Sequence, residues 1–484
     1  MFNLNCKESD EKMENNLNIT DKAVAFVEGF SYEDIPQEAL DIARRCILDT
    51  IGLYIAGTSE QVVQILAREA LDEGGNSDAL LLMGGGRKVP ASKAARVLGT
   101  AGHAHDWDDT QVSDDPLHQY GLLTHPSVPP LTGALVAAQL EGVVDGKTIM
   151  TAFLAGFEVE TKISEWMRPD HYLRGHHSSG TVGTIGACVA AAKVMRLSGD
   201  QLRHAIGMAV SFAAGIRCNF GTMTKPLHVG RASENGIVAA RLAARGVTAD
   251  PTALDGTWGL PTVMSGGVSR EKVAAGFANP LSIVSPGVSI KPYPSGILTH
   301  QAMDALLALV KEHDVDAANV VSIDFYAGSN ILNPIRYVIA KNHLQAKFSM
   351  AALLSMIVLY RQAGRQQFTD QVVASDAMQK MQARVKTHLD QKIESIGTDK
   401  IRSRIELTLE NGEVLVKDAD DRYRGGPDKP MSDDDLAEKF SACTDGLLDK
   451  TIQASILSSA RRIDELDDVS ELLSQVMGKV PSLT

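Results

Sequence analysis

Between His103 and Asp109 the chain places two histidines and three aspartates within seven residues, and Thr110 closes the run. Nine of the 13 histidines fall between His103 and His228. Imidazole changes charge near neutral pH, so histidines crowded among carboxylates suit proton transfer. Imidazole and carboxylate are also common metal ligands, and His103, His105, Asp106 and Asp109 form one candidate set for a metal-dependent hydrolase. The HxH of such hydrolases usually ends a strand, whereas a helical stretch precedes this one. The plainest alternative is a solvated acidic loop whose histidine is favoured by a helix C-terminus.

Other polar segments of similar character follow. His125 lies in the proline-bounded Thr124-His125-Pro126-Ser127, where a surface role competes with a catalytic one. Arg174-Gly175-His176-His177-Ser178-Ser179-Gly180 runs into a helix of small residues. A Gly- and Ser-rich helix start offers free backbone N–H groups, which suits an anion beside Arg174 and His177, or equally a well-capped loop. Lys225 precedes Pro226 at the start of another helix, a position from which a lysine can serve as proton-transfer acid or base. Lys291 opens the rigid turn Lys291-Pro292-Tyr293-Pro294 where the character of the chain changes, and clefts between domains are favoured ligand sites. Surface lysine and structural turn are the competing readings for these two. The chain has no GxSxG elbow, Walker loop, dinucleotide fingerprint or iron–sulfur cysteine pattern. Proton transfer beside carboxylates, without metal or cofactor, is the chemistry these residues share.

The positioning elements are mostly helices. Helices are expected at 20–30, with Thr20 as cap, at 36–56, where Leu40, Ala43, Ile47 and Ile51 recur at three- and four-residue steps, and at 62–71, closed by Gly74-Gly75. Residues 92–103 form another and deliver the acidic run at its C-terminal end. From 130 to 245 almost everything reads as helix, including 181–195, 205–216 and 226–245, with Ser198 and Gln201 as a capping box. Small residues there let backbones approach closely, which suits central helices. The pattern changes near Pro286. Strands are expected at 288–291 and 320–326, with a hairpin over 404–417 turning at Asn411-Gly412. Helices are expected at 300–313, 340–362 and 369–389, and Ser432 caps a return to helix. The fold class is therefore mainly α with an α+β part: a helical domain (residues 18–285), an inserted α+β lid domain (286–421), and a C-terminal helical return (422–484).

Length and composition set the outer limits. A chain of 484 residues exceeds one simple core. Its net charge of −13 disfavours a nucleic-acid footprint, which needs a basic face. No apolar run approaches the roughly 20 residues that span a bilayer, and the polar start to Asn16 reads as a ragged tail rather than a signal peptide. Five scattered cysteines without a CxxC pair suit a reducing, cytoplasmic setting.

The strings GHAHDWDDT, RGHHSSGTVGTIGA, FGTMTKPLHVGRASENG and KPYPSGILTHQAMDA, in this order, resemble the MmgE/PrpD family. That family includes 2-methylcitrate dehydratase, cis-aconitate decarboxylase and iminodisuccinate epimerase. The resemblance implies a large helical domain with a smaller α+β lid, a homodimer, and a small carboxylic acid as substrate. It implies that Asp106 and Thr110 line the pocket with His125, His177, Lys225 and Lys291. Two departures stand out: the loop between Thr110 and His125 is longer, and Gly296 replaces the histidine that cis-aconitate decarboxylases carry five residues after the KPYP lysine. The expectation is thus a lyase or isomerase of a small di- or tricarboxylic acid. Lys225, Arg174 and Lys291 would hold carboxylates, Lys225 or His177 would move the proton, and Asp106 or His125 would partner it. A metal-dependent hydrolase and a non-catalytic dimeric binding protein are the alternatives from other classes.

Overall fold

Twelve consecutive residues of α1 (Gln37–Gly57), Cys46 to Gly57, are buried, so this helix is a core element rather than a surface one. It packs on α2 (Ala91–His103), whose last residue begins the acidic run. The computed structural model describes residues 17–112, 124–396, 402–420 and 422–483. The expected ragged tail, and most of the long loop between Thr110 and His125, lie outside the described residues.

The principal helices that follow are α3 (Val128–Glu141), α4 (Gly146–Trp166), α5 (Ser178–Val194), α6 (Gly199–Phe212) and α7 (Thr224–Ala244). Helix α5 is the centre of the bundle, buried on nearly every side and touching α3, α4, α6 and α7. Its small residues make that possible. A Cβ on Gly133 of α3 would stand 2.4 Å from the Ala187 carbonyl oxygen, and one on Gly236 of α7 would stand 2.6 Å from the Cys188 nitrogen. Contacts that close need glycine, since no side chain fits between the two backbones.

A second apolar core lies between residues 293 and 419. Its sheet joins β1 (Val320–Ala327), β2 (Val385–Leu389), β3 (Ser403–Leu409) and β4 (Val414–Asp418) in the order β2-β1-β3-β4. The β1–β2 pair is parallel and the others antiparallel. Ile323 opposes Leu407 and Phe325 opposes Ile405, so four apolar side chains from two strands share the buried face. Helices α8 (His300–Glu312) and α9 (Met350–Tyr360) complete this core. The chain then returns through α10 (Asp433–Thr444), opened by a capping box of Ser432 and Asp435, and packs on α1. The fold is mainly α with an α+β part.

Several local expectations need correction. Residues 288–291 form no strand; Ser289 makes only an isolated bridge to Thr110. Two short helices, Asp370–Val373 and Asp376–Gln382, and then β2 occupy the segment expected as one helix over 369–389. The helix expected at 340–362 is split into His343–Ala346 and α9. Thr20 lies inside its helix rather than capping it, and its hydroxyl donates to Asp255. Ser198 stands at the helix start, but its side chain makes no capping bond.

Candidate active site

Helix α2 ends at His103, and the following turn places Asp106 in the left-handed region, at φ 54°. An L-residue adopts that conformation at a cost, so something must hold it. Lys291 does: its Nζ donates to the Asp106 carbonyl oxygen at 3.0 Å and lies 3.3 Å from Oδ1. Lys225, in the first turn of α7, donates to the same Oδ1 at 2.7 Å. All three side chains are buried. Burial alone would raise the Asp106 pKa, but the two ammonium groups hold its carboxyl well below the usual carboxylate range. Burial in turn lowers the pKa of Lys291, against the pull of Asp106.

Four histidines surround this pair of ion pairs, and their partners fix much of the proton placement. His103 Nδ1 lies 2.8 and 2.9 Å from the two Asp108 oxygens, while its Nε2 lies 2.7 Å from Lys225 Nζ. A carboxylate can only accept and an ammonium can only donate, so Nδ1 carries the proton and Nε2 the lone pair. His125 Nδ1 lies 2.9 Å from the Asp109 carbonyl oxygen and 3.3 Å from Thr110 Oγ1. That carbonyl requires a proton on Nδ1 and leaves Nε2 unprotonated, 3.9 Å from Asp106 Oδ1. His177 Nδ1 meets His228 Nδ1 at 3.0 Å, and His177 Nε2 is buried without a partner. Burial, then the charge of Lys225, keeps His103 and His177 well below the ordinary imidazole range. His125 is shifted the same way, chiefly by burial.

Beside these residues lies a narrow cavity of about 50 Å³. Of the residues expected from sequence, Asp106, Thr110, His125, His177, Lys225 and Lys291 come together on its wall. Arg174 does not. It is exposed, and its guanidinium stands near Gly266 on the outer side of the helical part. The remaining wall was not anticipated from the sequence: Tyr172 and Phe220 from the helical part, and Ile297, Leu298, Pro334, Ile335 and Phe348 from the α+β part. Phe220 and Phe348 present their rings 5.1 and 5.5 Å from Lys225 Nζ, a cation–π arrangement on its apolar side. Phe220 opens the FGTMTKPLH string, which could have marked it; Phe348 and Ile335 carry no such signal. Gly296 lies on the wall too, with ordinary φ and ψ, so its lack of a side chain serves space rather than backbone shape.

The set proposed for a metal hydrolase is not assembled. His105 turns away to Glu60, with Nδ1 3.2 Å from its carboxylate, and Asp109 is engaged by Ser127. Burial raises the Asp109 pKa to about 7 despite that hydroxyl. His103, Asp106, Asp108 and His125 do offer ligand atoms within 4.8 Å of one another. However, both His103 nitrogens are engaged, and two ammonium groups already occupy the side of Asp106 that a cation would need.

A helical bundle and an α+β unit together enclose buried ammonium, carboxylate and imidazole groups, the side chains that acid–base chemistry uses. The chain matches the MmgE/PrpD N-terminal domain over residues 22–272 and the MmgE/PrpD C-terminal domain over residues 293–465. It therefore belongs to the MmgE/PrpD family, and it is an enzyme of the lyase type. It is similar to cis-aconitate decarboxylase of Homo sapiens, 26% identical over 473 residues covering 96% of this chain and 95% of that protein. Cis-aconitate decarboxylase of Mus musculus is 25% identical, with 95% and 93% covered, and that of Aspergillus terreus 22%, with 94% and 95% covered.

Proposed function

We propose that this enzyme breaks a bond one carbon removed from a carboxylate in a small di- or tricarboxylic acid, without a cofactor, as a dehydratase does. The observation that carries the reading is the joining of Lys225, Lys291 and Asp106 in the same cavity as the unpartnered Nε2 of His177. A proton next to a carboxylate is weakly acidic, and its removal needs preorganised positive charge at the carboxylate. Lys291 supplies that charge, while Asp106, Thr110 and His125 orient the ligand. Lys225 and His177 divide the proton work: one takes the proton, the other delivers one to the departing hydroxyl group. The pH optimum then reflects groups tuned by burial rather than free side chains.

Decarboxylation is the second reading, favoured by relatives named cis-aconitate decarboxylase that align over almost the whole chain. It shares the same carbanion, formed by loss of CO₂ instead of a proton. Reprotonation of that carbanion on its other face would make an epimerase. We take the working form to be a cytoplasmic homodimer, which light scattering on the purified protein would check.

The test is incubation with citrate-, aconitate- and aminosuccinate-type acids in D₂O, followed by NMR. Deuterium entering a carbon next to a carboxylate, or loss of water, is expected with at least one acid. Lys225→Ala and His177→Ala should each abolish it with the fold intact. Binding of an acid with neither exchange nor turnover would mark a binding protein and sink the proposal.

A further inference from the structure

Behind Lys225, on the side away from the cavity, stands a continuous hydrogen-bonded line. Lys225 Nζ meets His103 Nε2 at 2.7 Å, and His103 Nδ1 meets Asp108 at 2.8 Å. His103 and Asp108 are fully buried, and neither lines the cavity. The deduced proton positions are an ammonium, a singly protonated imidazole and a carboxylate. Two protons moving in the same sense convert these into an amine, the other imidazole tautomer and a carboxylic acid.

We propose that His103 and Asp108 form a proton relay that converts Lys225 from ammonium to amine and so makes it the base of the reaction. The first proton passes from Lys225 Nζ to His103 Nε2, and the second from His103 Nδ1 to an Asp108 oxygen. Two opposite charges disappear and none is created. The amine then takes the substrate proton and becomes ammonium again, while His177 gives a proton to the departing group. Once product leaves, Lys225 releases the captured proton to water, the relay runs back to restore the ammonium, and His177 regains its proton from water. Lys291 remains to neutralise Asp106 when Lys225 is uncharged.

Three physical features support this. Solvation is lost at a buried site, so the uncharged form of the line is within reach. Burial raises the Asp108 pKa, which makes it a better proton acceptor than an exposed aspartate. The His103 ring resists a second proton, chiefly because it is buried, so the two transfers are coupled and no imidazolium forms between them. The line also explains why so polar a pair lies behind the catalytic wall rather than on it.

The proposal rests on the carboxylic-acid reading for its kinetic arm, and a second arm needs no substrate. In His103→Gln, the amide oxygen can accept from Lys225 and the amide N–H can donate to Asp108, but no proton can pass. Expected is a fall in kcat of about 100-fold or more with KM within about threefold, and the same for Asp108→Asn. A His103→Gln or Asp108→Asn enzyme that keeps kcat within about threefold overturns the relay. Nitrogen-15 NMR of the histidine-labelled wild type should show one proton on the His103 ring at pH 7. A doubly protonated ring there has no lone pair for the Lys225 proton and overturns the relay whether or not the variants fold. Wild-type protein that neither exchanges nor consumes any acid refutes the reading of function, and the NMR result still decides the relay.

Discussion

His177 and His228 meet through their Nδ1 atoms at 3.0 Å, which leaves His177 Nε2 buried without a partner at the cavity wall. The two rings share a single proton across that contact, because two N–H groups would repel and two lone pairs would not bond. His228 is only half-buried, and burial followed by the charge of Lys225 lowers its pKa to about 4. It is thus neutral at physiological pH and acts as a fixed hydrogen-bond partner. We predict that His228→Leu lowers kcat by about 10- to 100-fold while KM changes little, since the acid–base group is misaligned but the lysines remain. Steady-state kinetics with unaltered kcat would remove His228 from any supporting role.

Of the three cations named from sequence, Arg174 lies apart from Lys225 and Lys291, and the variants should separate in the same way. Lys291→Ala removes a buried ammonium from Asp106 and from the bound carboxylate, so turnover should fall by about 1000-fold. Arg174→Ala touches an exposed side chain outside the cavity and should leave kcat/KM within about twofold. A large loss in Arg174→Ala would mean that this arginine reaches the ligand.

A buried pair outside the cavity braces the turn that carries Asp106. Lys439 Nζ of α10 lies 2.6 Å from Asp49 Oδ1 of α1 and donates to the Trp107 carbonyl oxygen at 2.9 Å. Burial outweighs the lysine here and raises the Asp49 pKa to about 6. Removing one member of such a pair strands the other. Lys439→Met should therefore destabilise the fold by about 3–5 kcal/mol in urea titrations, and Lys439→Met with Asp49→Leu should recover much of the loss. Equal destabilisation of the single and double variants would refute the coupling.

His300 gives a pH dependence with a definite sign. Burial first, then Lys291, lowers its pKa to about 3, against an unfolded value near 6.5. Below pH 6.5 the unfolded chain takes up a proton that the folded chain refuses. Its contribution to stability is therefore present above pH 6.5 and is lost as pH falls toward 3. His300→Phe removes this term, so its stability deficit relative to wild type should shrink by about 2 kcal/mol between pH 6.5 and pH 5. A deficit that stays constant over that range would show that the fold does not lower the His300 pKa.

Much of the helical part was legible because its signals are local. Apolar spacing marked α1 within one residue of its ends, α2 was expected within one residue of its own, and the Ser432 cap and the Asn411-Gly412 hairpin are as expected. The β2 strand was not legible. Val385, Lys386, Thr387, His388 and Leu389 have no apolar alternation, and they are a strand because β1 offers a parallel edge to pair with. Likewise Val288 to Lys291 looks like a strand but has no neighbouring strand, so it runs extended and delivers Lys291 to Asp106 instead.

The site divides in the same way. Side-chain type and spacing marked Asp106, His125, His177, Lys225 and Lys291, and the family resemblance added Thr110, since reactive groups are carried by the residues themselves and their helix-start and turn positions are written locally. Spacing could not separate His103 from His105, or Lys291 from Arg174. Those differences depend on which way a side chain turns and on what lies opposite it, through contacts 119 residues apart for Asp106 with Lys225 and 122 for His103 with Lys225. Burial and partner geometry then set the protonation of each group. Sequence alone determined which reactive side chains the chain carries; only the tertiary structure decided which groups meet, how burial shifts them, and which stand behind the cavity rather than in it.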